Sequence, residues 1–160
     1  MTTEPNTSIE IRFAVPDDAL TAARLQVEFA EEFDSPTPSR EVLTPRFHEL
    51  IADAAAFVLF AGAPPEPQGY AVVTLRPTVY CDGPLAVLDE LYVAPGLRGA
   101  GIGTALLEHA IAEVLRRGGG EMHINVDEDD VDARRFYERH GFVNVEPGTD
   151  YRMLCYIQEL

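Results

Sequence analysis

The sequence of 160 residues contains no lysine and no tryptophan, and all 12 of its basic residues are arginine. Without lysine, neither a P-loop lysine nor a Schiff-base lysine can be present. Serine is scarce as well, because it occurs only at Ser8, Ser35 and Ser39, and none of these lies in a G-x-S-x-G sequence. The absence of that sequence excludes the nucleophile elbow of the common serine hydrolases.

Cysteine, paired histidine and long apolar runs are also scarce or missing. The two cysteines, Cys81 and Cys155, are too few for a disulfide framework or a zinc site, so we expect free, partly buried thiols in a reducing compartment. No histidine pair has H-x-x-x-H spacing, and we expect no metal. No run approaches the roughly 20 apolar residues of a membrane helix, and the N-terminus lacks a signal-peptide pattern. These features predict a cytoplasmic protein without a membrane partner.

Acidic residues outnumber basic ones by 27 to 12, which gives a formal net charge of −15. Binding to a nucleic-acid backbone requires a basic surface, so no nucleic-acid partner is expected. The charge either attracts a cationic partner or serves solubility, and composition alone does not choose between these two. With 46% hydrophobic and 24% charged residues, the chain has the composition of a globular protein and the length of one domain, residues 1–160.

Alternating and helical hydrophobic patterns take turns along the chain, which predicts an α/β protein. The predicted elements are a strand from Ile9 to Phe13, a helix from Pro16 to about Phe33, a helical region from Ser39 to Asp53 divided by Pro45, strands Phe57 to Ala61, Tyr70 to Leu75 and Leu85 to Val93, a helix from Ile102 to Arg117, a strand from Glu121 to Val126, a helix from Asp132 to His140, and a closing strand pair, Phe142 to Val145 and Tyr151 to Ile157. A single mixed, mostly antiparallel sheet flanked by helices on both faces accounts for this order.

Three glycines, Gly99, Gly101 and Gly103, lie where a predicted strand leads into a predicted helix. Backbone N–H groups at such a place can approach an anion closely, and the helix N-terminus adds a positive partial charge. Together with Arg98, these amides are the best candidate site for a phosphate-bearing ligand. The sequence G-x-G-x-x-G does not occur here, which argues against a nicotinamide dehydrogenase. On the glycines alone, a tight turn that only packs the helix closely remains the alternative.

The loop reads R-x-x-G-x-G from Arg98 to Gly103, and here the chain resembles the GNAT family of acetyl-CoA-dependent N-acetyltransferases. The segment from Leu88 to Pro95 is similar to the central strand of that family, and the segment from Phe136 to Phe142 is similar to its late F-Y-E-x-x-G-F sequence. The resemblance covers Leu85 to about Val145, whereas residues 1–80 match only in the order of their elements. It implies the acyl-CoA N-acyltransferase fold, with acetyl-CoA as co-substrate.

The resemblance implies coenzyme contacts in three segments. The loop would cradle the pyrophosphate and the end of the central strand would pair with the pantetheine arm; the implied residues are Arg98, Gly99, Ala100, Gly101, Ile102, Gly103 and Thr104 in the loop, and Leu91, Tyr92 and Val93 in the strand. The third segment is V-x-x-x-N-x-x-A, here Val126 to Ala133, in which Asp130 stands in place of asparagine and Ala133 is retained. Asp130 can accept but not donate a hydrogen bond, and capping of the next helix by Asp130 or Asp132 is the alternative.

The resemblance also implies direct attack of an amine on the thioester in a ternary complex, with Tyr137 as the acid that protonates the departing thiolate. A core aromatic beside Phe136 is the alternative role for Tyr137. Asp89 and Glu90 are candidate bases, and strand alternation predicts that they point to opposite faces, with Glu90 on the face of Leu88. The L-D-E-L sequence around them is similar to polyamine-acetylating members of the family. We favour Glu90 as the base, with Asp89 second.

Acidic residues cluster near the end of the first predicted helix, at Glu28, Glu31, Glu32 and Asp34. In the family this helix borders the acceptor site, so they either recruit a cationic amine or form a solvated helix face. We predict an N-acetyltransferase that acts on a small cationic primary amine, with a polyamine favoured. The alternatives are an aminoglycoside-like amine, a protein amino group, an acyl-CoA-binding module without transfer activity, or a nucleotide-phosphate binder. The resemblance is also compatible with a homodimer.

Overall fold

The computed structural model describes residues 8–160, and within them the chain divides after His123 into two compact units. The described elements of the first unit are β1 (Ile11–Phe13), a 3₁₀ turn (Pro16–Asp18), α1 (Ala19–Glu32), α2 (Arg40–Ala52), β2 (Ala56–Ala61), β3 (Gly69–Arg76), β4 (Leu85–Val93), α3 (Ile102–Arg116) and β5 (Glu121–His123). The second unit contains α4 (Val131–Arg139). With the 3₁₀ turn counted as the start of the first helix, the helices and the first four strands lie within two residues of their predicted bounds.

The strands form one mixed sheet in the order β1-β2-β3-β4-β5. The first three pairings are antiparallel, and β4 pairs with β5 in parallel through the crossover that contains α3. The predicted mixed, mostly antiparallel sheet is therefore confirmed. The glycine loop lies between the end of β4 and the start of α3, so the strand carrying the two candidate carboxylates leads directly into it.

Helices cover both faces of the sheet, as predicted. On one face, which we call the α1 face, helices α1 and α2 pack with the alternating strand residues Val58, Phe60, Tyr70 and Val72. Helix α3 packs against β2, β3 and β4, and a Cβ at Gly69 would come within 3.4 Å of Leu106 on this helix. All six residues of β2 are buried, as expected for a strand with helices on both sides. We call the second face the α3 face.

Helix α2 contradicts one expectation, because Pro45 does not divide it. The helix runs without interruption from Arg40 to Ala52. Proline removes the hydrogen bond that its N–H would make to the carbonyl of Glu41, four residues earlier. Glu41 and Pro45 are both exposed, so water can solvate that carbonyl, while Leu43 and Phe47 are buried in the core. Packing of the apolar side of α2 therefore holds the helix together.

The C-terminal end contradicts a second expectation. In place of strands from Phe142 to Val145 and from Tyr151 to Ile157, a single bridge joins Val145 to Arg152. The apolar residues after this bridge are exposed, so burial does not offset the entropy cost of ordering them as a strand. Strand β5 is also shorter than predicted and does not extend to Val126.

Cys81 and Cys155 are both free and exposed, so the expectation of partly buried thiols is wrong. Cys81 lies in the connection between β3 and β4, and Cys155 follows the bridge between Val145 and Arg152, so both thiols lie outside the regular elements of the core. Within residues 8–160, the helices are too short or too polar to span a bilayer. In that same part of the chain, no group of three or more His, Cys, Asp and Glu side chains is arranged to hold a metal ion.

Candidate active site

A β-bulge interrupts the pairing of β3 with β4 at the two candidate carboxylates. Val72 pairs with Glu90 and Val73 pairs with Leu88, so Asp89 is an extra residue in β4. Because the bulge breaks the alternation of side chains, Glu90 shares the α1 face with Val72, whereas Leu88 lies with Val73 on the α3 face. The prediction that Glu90 and Leu88 share a face is wrong, since alternation holds only along a regular strand.

The carboxylate of Asp89 lies on the same face as that of Glu90. Its Oδ2 accepts a hydrogen bond of 2.7 Å from the hydroxyl of Thr74, which is two residues from Val72 and so belongs to the α1 face. The prediction that the two carboxylates point to opposite faces is therefore wrong, and the bulge is the physical reason. Asp89 is exposed and Glu90 is half-buried, so one face carries two carboxylates of different exposure.

A chain of hydrogen bonds connects Glu90 to the interior of the α1 face. The hydroxyl of the buried Tyr70 donates a 2.6 Å hydrogen bond to Oε1 of Gln26 in α1. The Gln26 side chain also hydrogen-bonds the Glu90 carboxylate, and since Oε1 accepts from Tyr70, the amide nitrogen is the donor. Sequence reasoning missed Gln26 and Tyr70. The sequence did carry a signal for both residues, because Gln26 interrupts the apolar side of α1 and the Tyr70 hydroxyl lies in the apolar strand β3. A buried polar group usually has a hydrogen-bond partner, so a partner could have been expected for each.

The surroundings of Glu90 favour its neutral form. Burial is the main cause that raises the pKa of the Glu90 carboxyl above its ordinary value. The hydrogen bond from Gln26 opposes this rise, and the negative charge of Asp89 adds to it. A carboxylate with a raised pKa binds a proton more readily, which makes Glu90 the better candidate for a general base.

The second half of α1 places aromatic rings and carboxylates around Tyr92. The Tyr92 ring is buried and stacks on Phe29, with 5.0 Å between the ring centroids. Burial, followed by the negative charges of Glu32 and Glu28, raises the pKa of the Tyr92 hydroxyl. Glu28 forms an ion pair with Arg24 at 2.5 Å, and Glu32 forms one with the glycine loop. Glu31, Glu32 and Asp34 are exposed and Glu28 is half-buried, so most of the cluster lies at the helix surface, with Glu28 and Glu32 held in ion pairs.

The side chain of Arg98 turns toward α1 and β4. Its Nη1 and Nη2 donate hydrogen bonds of 2.6 and 2.7 Å to the two carboxylate oxygens of Glu32. Its Nε donates a 2.9 Å hydrogen bond to the carbonyl of Val93. The guanidinium carbon also lies 5.9 Å from the ring centroid of Phe33 and 5.8 Å from that of Tyr92. Sequence reasoning did not single out Glu32 as the partner of this arginine.

The glycine loop has the backbone conformation that an anion site needs. Gly99 and Gly101 have φ values of +80° and +84°, in the left-handed region that favours glycine. A Cβ at Gly99 would meet nothing within 4 Å, so glycine is required here by the backbone and not by close helix packing. Ala105 donates the first helical hydrogen bond to Gly101, and the amides of Ile102 and Gly103 precede it in the first turn, where an α-helix offers no acceptor.

The second half of β4 extends beyond its pairing with β5. The parallel pairing joins Leu85–Val87 to Glu121–His123. In the part of the chain that the structure describes, no strand continues this pairing along Leu88–Val93, so backbone groups of that edge can pair with a ligand. Leu91 and Val93 are half-buried. The strand end is suited to an extended ligand that carries amide groups.

The second compact unit contains the remaining predicted residues. Asp130 is the N-cap of α4, and its Oδ1 accepts a 3.0 Å hydrogen bond from the amide of Ala133, which confirms the capping alternative. Tyr137 is 8% exposed and packs edge-on against Phe136 and Phe142, with centroid distances of 5.1 and 5.5 Å. Its ring is therefore part of the core of this unit, as the alternative for this residue also expected.

The chain matches the sequence model of the acetyltransferase (GNAT) family over residues 22–142. This protein belongs to the GNAT family. The GNAT chain is 33% identical over 148 residues to aminoglycoside N(6')-acetyltransferase type 1 of Stenotrophomonas maltophilia, a match that covers 89% of this chain and 92% of the relative. It is also 33% identical over 91 residues to streptothricin acetyltransferase of Streptomyces lavendulae, covering 57% of this chain and 46% of that protein.

Solved structures of similar shape include two acetyltransferase-type proteins. A protein of Arthrobacter sp. FB24, described as a candidate acetyltransferase, has a TM-score of 0.90 and 46% sequence identity, over 99% of this chain and 100% of that chain. The aminoglycoside acetyltransferase meta-AAC0020, from an uncultured soil metagenomic sample, has a TM-score of 0.79 at 19% identity, over 98% and 99% of the two chains, and shows likeness of fold alone. The GNAT protein is thus an N-acetyltransferase with the α/β fold of its family, whose members use acetyl-CoA.

Proposed function

We propose that this protein transfers the acetyl group of acetyl-CoA to a primary amine of a small polycationic molecule, by direct attack in a ternary complex. The observation that carries the proposal is the bulge in β4. It places Asp89 and Glu90 on one face, immediately before the strand leads into the loop of open amides. Carboxylates that take up a proton and amides that bind a phosphate are the two requirements of the reaction.

The described residues fit the coenzyme. The amides from Gly99 to Thr104 would hold the pyrophosphate, because they lie in the glycine loop and at the positive N-terminal end of α3. The free edge of β4 at Leu91–Val93 would pair with the pantetheine amides. Asp130 uses Oδ1 to cap α4, so we assign to Oδ2 the hydrogen bond accepted from the pantetheine. The family match crosses His123, which supports one N-acetyltransferase domain formed by the whole chain, residues 1–160.

The chemistry requires an amine without its extra proton. Glu90 would take that proton, directly or through a water molecule, and the burial that raises its pKa makes it a stronger base than an exposed carboxylate. The amine nitrogen then bonds to the thioester carbonyl carbon, and the C–S bond breaks as the tetrahedral intermediate collapses. The hydroxyl of Tyr137 would give its proton to the departing thiolate, and the second proton, which the nitrogen loses as the amide forms, would return the phenolate to its neutral form. No acyl-enzyme is needed, so the reaction uses no serine or cysteine nucleophile.

The class of the amine acceptor is inferred from the negative charge of the protein and of its candidate site. The net charge of −15 and the carboxylates of Asp89 and Glu90 favour a cation with more than one amine. We place a polyamine first, because the L-D-E-L sequence is similar to that of polyamine-acetylating members. An aminoglycoside-like amine is the second candidate, and the relative from Stenotrophomonas maltophilia favours it, since that match covers most of both chains.

The first experiment measures thermal stability with acetyl-CoA, ATP and NAD in parallel. Acetyl-CoA alone is expected to stabilise the protein, by about 2.7 kcal/mol at 100 times its dissociation constant. Release of CoA thiol is then followed with spermidine, an aminoglycoside, a streptothricin and an N-terminal peptide as acceptors. Binding of acetyl-CoA without thiol release from any amine would indicate an acyl-CoA-binding module. Stabilisation by ATP alone would indicate a nucleotide-phosphate binder and overturn the proposal.

Two further expectations belong to this proposal. The free, exposed thiols of Cys81 and Cys155 suit a reducing compartment, which favours the cytoplasm as the place of action. A homodimer, with which the family resemblance is compatible, stays a prediction that light scattering coupled to size-exclusion chromatography tests directly.

A further inference from the structure

One side chain connects three elements of the candidate site. Arg98 lies in the glycine loop, Glu32 is the last residue of α1, and Val93 is the last residue of β4. The Arg98 guanidinium donates to both carboxylate oxygens of Glu32 and to the carbonyl of Val93, at 2.6, 2.7 and 2.9 Å. We call this three-way contact the Arg98 strut. It joins α1, which packs on the sheet face that carries Glu90, to the end of the strand that carries both candidate bases.

The geometry of the strut requires arginine. Two parallel N–H donors match the two oxygens of a carboxylate, and the third donor, Nε, points sideways to Val93. The rings of Phe33 and Tyr92, at 5.9 and 5.8 Å, lie against the same guanidinium. A lysine ammonium has the same charge but not this planar arrangement of donors.

The Arg98 strut makes the guanidinium less available to bind a phosphate. The ion pair with Glu32 already neutralises the guanidinium, and the Glu32 side chain is 25% exposed. If Arg98 turned to a phosphate, Glu32 would lose its ion-pair partner, while Glu28 lies four residues earlier on the same helix and carries the same charge. The phosphate has other donors, because the backbone amides of Ile102 and Gly103 lie in the first turn of α3, where an α-helix offers no acceptor.

We propose that Arg98 is a positioning residue for the acceptor side of the site and that its side chain is not a ligand of the coenzyme phosphate. The strut holds the end of α1 against the end of β4, which sets the distance between the acidic and aromatic end of the helix and the carboxylates of the bulge. This inference rests on the proposed function, in which backbone amides bind the pyrophosphate. It separates acceptor binding, which depends on the strut, from coenzyme binding, which does not.

The variants that test the strut are Arg98→Gln, Glu32→Gln and the double variant, with Arg40→Gln as the control. Arg40 is exposed and its nearest carboxylate, that of Glu41, is 3.9 Å away, so Arg40→Gln changes the net charge by the same amount outside the site. The strut predicts that either single substitution raises KM for the amine at least about tenfold, as expected for loss of a charge-assisted hydrogen-bonded pair. The KM for the amine in the double variant is expected to be no higher than in either single variant, because both substitutions remove the same contact.

Coenzyme binding distinguishes the strut from a phosphate ligand. The strut predicts that the dissociation constant for acetyl-CoA, measured by calorimetry, stays within about twofold of wild type in all four variants. A phosphate ligand predicts at least tenfold weaker binding in Arg98→Gln and unchanged or tighter binding in Glu32→Gln, because Glu32 would no longer compete. That second result would overturn the proposal.

Hydrogen exchange of the backbone amides tests the strut without an amine substrate. The amides in the last turn of α1 are expected to exchange faster in Arg98→Gln and Glu32→Gln than in wild type, and not in Arg40→Gln. If wild type acetylates no amine, the proposed function fails, while exchange and acetyl-CoA affinity still decide the role of Arg98. Unchanged exchange in both strut variants would show that the contact does not hold α1, and the strut would be rejected.

Discussion

The protonation of one carboxyl group controls the proposed chemistry at the level of single residues. Glu90 is half-buried, and burial raises its pKa. Two neighbours act on that carboxyl in opposite directions, since the charge of Asp89 favours the neutral form and the hydrogen bond from Gln26 favours the ionised form. Substitution of either neighbour therefore tests Glu90 without removing it.

We expect Asp89→Asn to move the acid limb of the kcat/KM profile to lower pH and Gln26→Leu to move it to higher pH. A base must be ionised to act, so the limb follows the pKa of Glu90, which falls when a nearby negative charge is removed and rises when a stabilising donor is removed. The measurement is kcat/KM for the best amine between pH 5 and 10. Glu90→Gln should remove the limb and lower kcat/KM by about 100-fold or more. A limb that survives in Glu90→Gln would assign the base elsewhere, and its loss in Asp89→Asn would point to Asp89.

The acid role of Tyr137 is tested by Tyr137→Phe. This substitution keeps the aromatic packing with Phe136 and Phe142 and removes only the hydroxyl. We expect kcat to fall by about 100-fold, within the range of general acid catalysis, with the acetyl-CoA dissociation constant nearly unchanged. Tyr151→Phe is the matched control, because Tyr151 lies in the same unit and is 60% exposed. Turnover that is equal in both variants and wild type would refute the acid role.

At the level of elements, periodicity located the helices and strands but not the irregularity that matters most. The predicted bounds of β4, Leu85 to Val93, agree with the structure, yet the bulge at Asp89 changes which side chains share a face. A bulge depends on how β3 pairs with β4, and the sequence of β4 alone does not determine that pairing. Pro45 shows the same dependence, because buried packing of α2 overrides its local preference to end a helix.

The start of α3 is the element whose backbone we expect to matter for coenzyme binding. Gly101→Ala places a side chain at φ +84°, which costs about 1 to 2 kcal/mol of stability for a residue other than glycine. If the loop relaxes to avoid this cost, its amides turn away and acetyl-CoA binds more weakly. Gly120→Ala is the control, because Gly120 has no positive φ and a Cβ there meets nothing within 4 Å.

Urea unfolding and acetyl-CoA titration of these two glycine variants provide the measurement. The proposal expects a loss of both stability and coenzyme affinity in Gly101→Ala and of neither in Gly120→Ala. Wild-type acetyl-CoA affinity in a folded Gly101→Ala variant would contradict a phosphate site at this loop.

At the level of the whole molecule, the net charge of −15 acts at long range. If it steers a cationic acceptor, kcat/KM for spermidine should fall as salt is raised from 0.02 to 0.5 M, because added ions screen the attraction. The kcat/KM for acetyl-CoA, which is an anion, should rise or stay unchanged, because the same ions screen its repulsion from the protein. Steady-state kinetics across this range decide between the two interpretations of the charge. A kcat/KM for spermidine that does not change with salt would leave solubility as the role of the net charge.

The order of amino acids was enough to predict the family, the mixed sheet and the position of the glycine loop, because these follow from local patterns: the R-x-x-G-x-G sequence, hydrophobic periodicity and the residues that permit left-handed backbone. Which side chains meet could be seen only in the folded molecule. The bulge turns Asp89 to the face of Glu90, Gln26 reaches Glu90 from a helix distant in sequence, and Arg98 pairs with Glu32. These contacts depend on strand register and on helix packing, which are set by the burial of residues far apart along the chain.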